Sequence, residues 1–192
     1  MKKIFALLLA LCLLCAGMSA LAETAAAPFE ELLTEEKALE LDGFSLLLGA
    51  GEYYYVGQKA AGQIYVQVLP FYGDGDYSTN YNASWSGNTG EVTADDVKAQ
   101  IADFEDSIRT QYAAAGVTVD SFTLSEPYDT SLSGVDCVAF EMESTISYLG
   151  QSLHIYQREI WVGSIGYIFT LTASSPDDLE KITQKLAEAL VF

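Results

Sequence analysis

The feature that most constrains this chain is a series of short aromatic and aliphatic runs cut apart by glycine: "GFSLLLG", "GEYYYVG" and "GQIYVQVLPFYG". Runs of this length, rich in tyrosine, leucine, valine and isoleucine and closed by turn residues, predict strands rather than helices. They place strands near Phe44–Leu48, Tyr53–Val56 and Ile64–Phe71. In the third, Ile64, Val66 and Val68 alternate with Tyr65, Gln67 and Leu69, so one face of that strand should be well buried. Further along, "VTVDSFTLSEPY", "GVDCVAFEMEST", "QSLHIYQREIWVG" and "GYIFTLTAS" read as four more strands. Gly150 and the pair Gly163–Gly166 mark hairpin turns between them, which makes neighbouring strands antiparallel.

Two stretches change period from two to between three and four. In "TADDVKAQIADFEDSIRTQYAAAG", Val97, Ile101, Phe104, Ile108 and Tyr112 form one stripe, with Thr93 as N-cap, Asp96 three residues on and Gly116 at the end. In "SSPDDLEKITQKLAEALVF", Ser175 caps, Pro176 opens the first turn, and Leu179, Ile182, Leu186 and Leu190 make the apolar stripe. A shorter helix is expected from Pro28 to about Leu39, inside an acidic, alanine-rich segment spanning 23–42. The expected architecture for 43–192 is a single α+β sandwich, an antiparallel sheet of six to eight strands packed against two long amphipathic helices.

The chain opens "MKKIFALLLALCLLCAGMSALAE". Two lysines, an apolar run and Ala20-Leu21-Ala22 spell a secretory signal peptide over 1–22. The run is too short for a membrane span, which needs roughly 20 apolar residues. Leu11 and Leu14 precede Cys12 and Cys15, where a lipoprotein signal would place a small residue, so lipid attachment is disfavoured. Cleavage after Ala22 would remove two of nine basic and none of 27 acidic residues, moving the net charge from −18 to −20. Such a chain repels nucleic acid and anionic lipid and draws no affinity from phosphate neutralisation. Cys137 alone would survive processing, so neither a disulfide nor a cysteine metal cluster is expected and an apolar core must hold the domain together. A secreted or envelope protein, monomeric and without a transmembrane segment in its mature form, is the expectation.

The order of elements, with "YIFTLTASSPDDLEKITQKLAEALVF" at the end, resembles the Mog1/PsbP-like α/β/α sandwich family. In that family a last core strand passes through a polar turn into a terminal helix that ends on an apolar residue, here Phe192. "STNYNASW" is similar to the family's Asn-rich strand, though Ala83 stands where valine is usual. The resemblance covers about Gly43 to Phe192. It implies an accessory or binding protein, since family members include an extrinsic photosynthetic subunit, a small-GTPase-binding transport factor and bacterial envelope lipoproteins. It brings no shared catalytic residues.

The residues themselves spell out little chemistry. Asp74, Asp76, Ser78, Asn80 and Asn82 recur at every second position, as calcium ligands do. An EF-hand-like loop would need glycine and a bidentate acid where Thr79 and Trp85 stand, so a turn at "GDGD" running into a strand from Thr79 to Trp85 is the expected structure. His154 is the one histidine, in a strand without an evident nucleophile beside it. "GSIG" is not a nucleophile elbow, and "DTS" at Asp129–Ser131 lacks the glycine of an aspartic protease triplet. No cofactor or metal is expected. What stands out is tyrosine: twelve in the chain, seven of them between Tyr53 and Tyr81. Neighbouring strand residues point to opposite faces, so some of these rings should lie outside, where amphipathic aromatics suit recognition. The expected binding surface is Tyr54, Tyr72, Tyr77, Tyr81 and Trp85, for a protein or glycan partner. The expected function is an exported, non-catalytic binding or accessory protein of the bacterial envelope. The alternative is a small envelope hydrolase using paired carboxylates.

Overall fold

The computed structural model describes residues 29–58, 64–86 and 89–192. The leader expected over 1–22, with Cys12 and Cys15, lies outside them. Strands β1 (Phe29–Leu32), β2 (Lys37–Leu41), β3 (Phe44–Leu48), β4 (Tyr53–Gln58), β5 (Ile64–Leu69) and β6 (Asn80–Trp85) precede helices α1 (Ala94–Gln100) and α2 (Phe104–Ala114). Then come β7 (Thr118–Leu124), β8 (Tyr128–Leu132), β9 (Val135–Tyr148), β10 (Gln151–Val162) and β11 (Tyr167–Ala173), helix α3 (Pro176–Ala189) and the two-residue β12 (Leu190–Val191). Nine strands make one antiparallel sheet in the order β1-β4-β5-β6-β11-β10-β9-β7, with β8 also paired to β9, and β12-β3-β2 make a second sheet of three.

This overturns the expectation of a sheet packed against two long helices. Strand takes the largest share of the described residues, and the three described helices have 7, 11 and 14 residues. The first expected helix is split: Ile101 closes α1 through its N–H to Val97 O, and α2 restarts after Asp103. Its apolar stripe nonetheless survives the break, with Val97, Ile101, Ile108 and Tyr112 buried in one cluster. The two short helices rest on different strands, α1 on β9 and α2 on β7.

The short helix expected from Pro28 is also absent from the described residues. β1 and β2 stand in its place, β1 pairing with β4 from Phe29↔Val56 to Leu32↔Tyr53. β2 turns back on β3 with Leu41 opposite Phe44, leaving Asp42-Gly43 as a two-residue hairpin turn and Gly43 at φ +91°. Aspartate followed by glycine between apolar runs is a strong local hairpin signal, and it outweighs the helix propensity of the Glu, Leu, Ala and Lys residues before it. The strand pairing is long-range in β1 and local in β2, so only the second half was open to a local reading.

Helix α3 lies where its pattern puts it. Ser175 accepts from Asp178 N, Pro176 occupies the first turn, and Leu179, Ile182 and Leu186 are buried. Leu190 leaves the helix and joins β12 opposite Leu46. Burying such a leucine contributes roughly 1.5–3 kcal/mol. With the three-stranded sheet, α3 covers the first face of the large sheet, where Tyr54, Val66, Val68, Tyr81, Ala83, Phe169 and Leu171 meet it. The second face carries α1 and α2 over Val138, Phe140, Met142 and Ile155. Strand β9 serves both: Cys137 and Ala139 point to the first face, Val138 and Phe140 to the second.

Candidate functional site

The five residues expected to form a surface divide between core and exterior. Tyr54 and Tyr81 are 1% exposed and belong to the first-face core, so as they stand they offer no ring to a partner. Tyr54 still uses its hydroxyl, 2.6 Å from Lys37 Nζ and 3.0 Å from Glu31 Oε2. Burial pushes the Tyr81 phenol well above its ordinary range, with the nearby Glu52 carboxylate adding to the effect. Trp85 is exposed at the end of β6. Tyr72 and Tyr77 sit on the turn between β5 and β6 and meet a ring that the expected set did not include, Tyr53. Its centroid is 5.1 Å from Tyr72 in a stacked pair, and Tyr72 is 4.9 Å from Tyr77 edge to face. Tyr77 remains 49% exposed, so the cluster presents aromatic surface outward.

That turn is built by local hydrogen bonding. Residues Tyr72–Asp74 form one 3-10 turn, closed by Gly75 at φ +86°. Asp76 Oδ1 accepts from Ser78 N at 2.8 Å, Ser78 Oγ at 2.8 Å and Thr79 N at 3.1 Å. Burial raises the pKa of this carboxyl, but the hydrogen bonds from Thr79 and Ser78 outweigh it and leave it below its ordinary value. The carboxylate thus serves its own turn. Among the described residues no group of three or more acidic, histidine or cysteine side chains converges as metal ligands would.

The alternation that buries Tyr54 and Tyr81 turns their neighbours to the second face. A row runs across five strands there, each residue directly opposite the next: Tyr55 on β4, Gln67 on β5, Asn82 on β6, Thr170 on β11 and Glu159 on β10. Strands lie about 4.8 Å apart, so the row spans roughly 19 Å. Beside it, Gln157 Nε2 donates to Thr172 Oγ1 at 3.1 Å, and Gln67 Nε2 donates to Asn80 Oδ1 at 3.1 Å. Gln67, Asn80, Asn82, Thr170, Thr172, Gln157 and Glu159 are all buried. Asn82 is 0% exposed, and neither its amide nitrogen nor its carbonyl oxygen has a hydrogen-bond partner. Burial pushes the Glu159 carboxyl up to about 7, against the opposing pull of Trp161, whose indole N–H donates to Oε2 at 3.2 Å. The strip is therefore amide, hydroxyl and carboxyl, with no lysine or arginine among these residues.

Its signal was present locally. Asn80 and Asn82 alternate with Tyr81 and Ala83, and Thr170 and Thr172 alternate with Phe169 and Leu171. Nothing local says that β6 and β11 are neighbours, and only that adjacency merges two polar strand faces into one field.

Other polar groups occupy separate places. A cleft of about 740 Å³ beside the end of β10 is lined by Glu91, Asp95, Asp129, Asp136, Cys137 and Trp161. Burial, with Asp136 nearby, pushes the Cys137 thiol up to about 11, the wrong direction for a nucleophile. His154 is exposed on β10, its Nε2 2.8 Å from Glu143, and stacks on Tyr156. Arg158 ties the sheet to α3 through Glu141 and Glu180, each 2.6 Å away, and Thr183. At the other end of α3, Lys185 reaches the buried Glu52 at 2.8 Å. No described helix is long and apolar enough to cross a membrane.

No family model matches the chain, and no curated protein aligns with it significantly. Similar solved structures include a Pseudomonas aeruginosa protein of unknown function, PA94, described as a candidate regulator. It shares 16% identity over 81% of this chain and 93% of its own, at a TM-score of 0.34.

Proposed function

We propose that this chain is an exported, non-catalytic binding or accessory protein of the bacterial cell envelope, the reading suggested by its leader-like opening and its concentration of tyrosines. It holds a partner at the aromatic corner made by Tyr53, Tyr72 and Tyr77. The observation that carries this reading is the outward-facing stack itself. Three phenol rings are locked against one another at 4.9–5.1 Å, yet Tyr77 stays half exposed. Preassembled rings of this kind contact a ligand with little further loss of side-chain freedom.

Two measurements test it. Cell fractionation with mass analysis of the amino terminus should find the protein outside the cytoplasm and beginning at Glu23. Retention on purified cell-wall material and on envelope extracts should fall at least tenfold when Tyr72 and Tyr77 are both replaced by alanine. A cytoplasmic full-length product, or unchanged retention by a folded Tyr72→Ala/Tyr77→Ala protein, overturns the proposal.

The paired-carboxylate hydrolase is the second reading, and Glu159 is the observation in its favour. A carboxyl held near neutrality by burial has the protonation a general acid needs. Its partners across and along the second face are Phe140, Thr170, Gln157 and Trp161, none of which could serve as the second carboxylate. A hydrolase screen whose activity vanished in Glu159→Gln would favour this reading over the first.

A further inference from the structure

We infer that the second-face row Tyr55–Gln67–Asn82–Thr170–Glu159 is a binding site for a neutral, hydroxyl-rich ligand, a segment of glycan, with the Asn82 amide as its central contact. This deepens the binding reading above and rests on it.

Three observations converge. The first is Asn82 itself. A side-chain amide sealed from water with both its donor and its acceptor unused is costly, and such groups are rare in folded proteins. Its neighbours are arranged otherwise: Gln67 is bonded to Asn80, Asn80 also to Ser78 O, and Gln157 to Thr172. The open donor and acceptor are thus concentrated at the middle of the row, where a hydroxyl could accept from Nδ2 and donate to Oδ1.

The second is the chemistry of the whole strip. Amides and hydroxyls both donate and accept, as sugar hydroxyls do, while the absence of basic side chains from the row leaves nothing to neutralise a phosphate or carboxylate. The Glu159 carboxyl, held near neutrality, can offer a proton to a ligand oxygen or take one. The third is shape. The apolar cluster under α1 and α2 takes no residue from β5, β6 or β11, so it ends before the strip begins. Tyr55, half-buried at the β4 end of the row, carries an aromatic ring of the kind that packs on the apolar face of a sugar. Successive polar groups step about 4.8 Å from strand to strand, close to the advance of one sugar ring per strand. An extended peptide would instead seek unpaired backbone groups at a sheet edge, and β5, β6 and β11 are interior strands.

Because Asn82 is sealed, binding includes a step that opens the strip, and the apparent affinity is reduced by the fraction of molecules open. The experiment is calorimetric titration of the mature protein with neutral hexasaccharides of glucose and of N-acetylglucosamine, in parallel with thermal melts. Wild type should bind at least one of them. Asn82→Ala should weaken that binding at least tenfold while leaving the melting temperature equal or higher, since it deletes an unsatisfied amide. Thr170→Val, at the adjoining position, should weaken it several-fold. An Asn82→Ala protein that melts far lower and binds as wild type does would make Asn82 a structural residue and overturn the inference. So would a wild type that ignores both sugars, or that binds only peptides or polyphosphate. If Tyr72→Ala/Tyr77→Ala loses retention on cell-wall material while Asn82→Ala keeps it, the aromatic corner stands and the strip alone is refuted.

Discussion

On the first face of the large sheet, buried apolar residues run without interruption from Tyr54 on β4 through β5, β6, β11 and β10 to Cys137 and Ala139 on β9. On the second face the cluster beneath α1 and α2 occupies β7 and β9 and ends at Ile155 on β10, with Tyr65 and Leu69 of β5 buried apart from it. The same strands build both. A strand commits each face separately, because alternate side chains answer to different neighbours. On the first face that freedom is spent wholly on a core, closed by α3 and the three-stranded sheet. On the second, half the width is core and half is the polar field around Asn82. The contrast sets an uninterrupted apolar core against a face that buries polar side chains beside a smaller one.

The largest way to break this comparison is at Leu186, which is 0% exposed at the centre of the first-face cluster. Leu186→Asp should give no folded protein. Leu186→Ala should cost about 3–5 kcal/mol in urea unfolding, while Ile108→Ala, beneath α2 in the smaller cluster, should fall near the lower end of the usual large-to-small range, about 2 kcal/mol. Equal costs would mean that the two clusters are not the major and minor cores described above. Glu188→Gln, on the exposed side of α3, should move stability by no more than about 0.5 kcal/mol.

Glu159 sharpens the boundary, lying opposite Phe140 of the second-face cluster on one side and Thr170 of the strip on the other. Its carboxyl is raised from an ordinary 4.5 to about 7 by burial. Between those values the folded chain keeps a proton that the unfolded chain has released, so stability falls as pH rises through that window and the cost is complete above about pH 7. The shift corresponds to at most about 3 kcal/mol. Glu159→Gln should therefore flatten the melting profile between pH 5 and 8 relative to wild type, with most of its gain at the alkaline end. A variant whose profile parallels wild type would show that Glu159 is solvated in both states.

The smallest effect concerns the minor core's lid. Thr93 Oγ1 accepts from Asp96 N at 3.2 Å, and the Asp96 side chain bonds back to Thr93 N, a capping box on a seven-residue helix. Thr93→Ala should cost about 1 kcal/mol. Its signature is local: amide exchange should quicken in α1 and not in α3. Uniform acceleration would make α1 part of a single cooperative unit with the first-face core.

Much of this was legible in the sequence, and the limits are instructive. The glycine-bounded runs located β3, β4 and β5, and the stripe Leu179–Ile182–Leu186 located α3. The Asp76 turn was readable too, since its bonds reach only two or three residues. The break between α1 and α2 was not, because "QIADF" contains neither glycine nor proline and its stripe continues in phase. Strand β8 was hidden between two stronger runs and is defined by its pairing with β9. Of the site, the tyrosines were visible as a concentration, but Tyr54 and Tyr81 went to the core and Tyr53 took their place outside.

What the amino-acid order determined alone was whatever depends on near neighbours: where the glycine-bounded strands and α3 lie, which residues of a run share a face, how the Asp76 turn closes. What only the tertiary structure decided was which face of each strand met apolar cover and which strands lay side by side. Alternation specifies that Tyr81 and Asn82 point apart, and it is silent on which of them points inward. That choice comes from partners far away in the chain, since burial free energy is collected only after α3 and the small sheet have closed over one side of the large one.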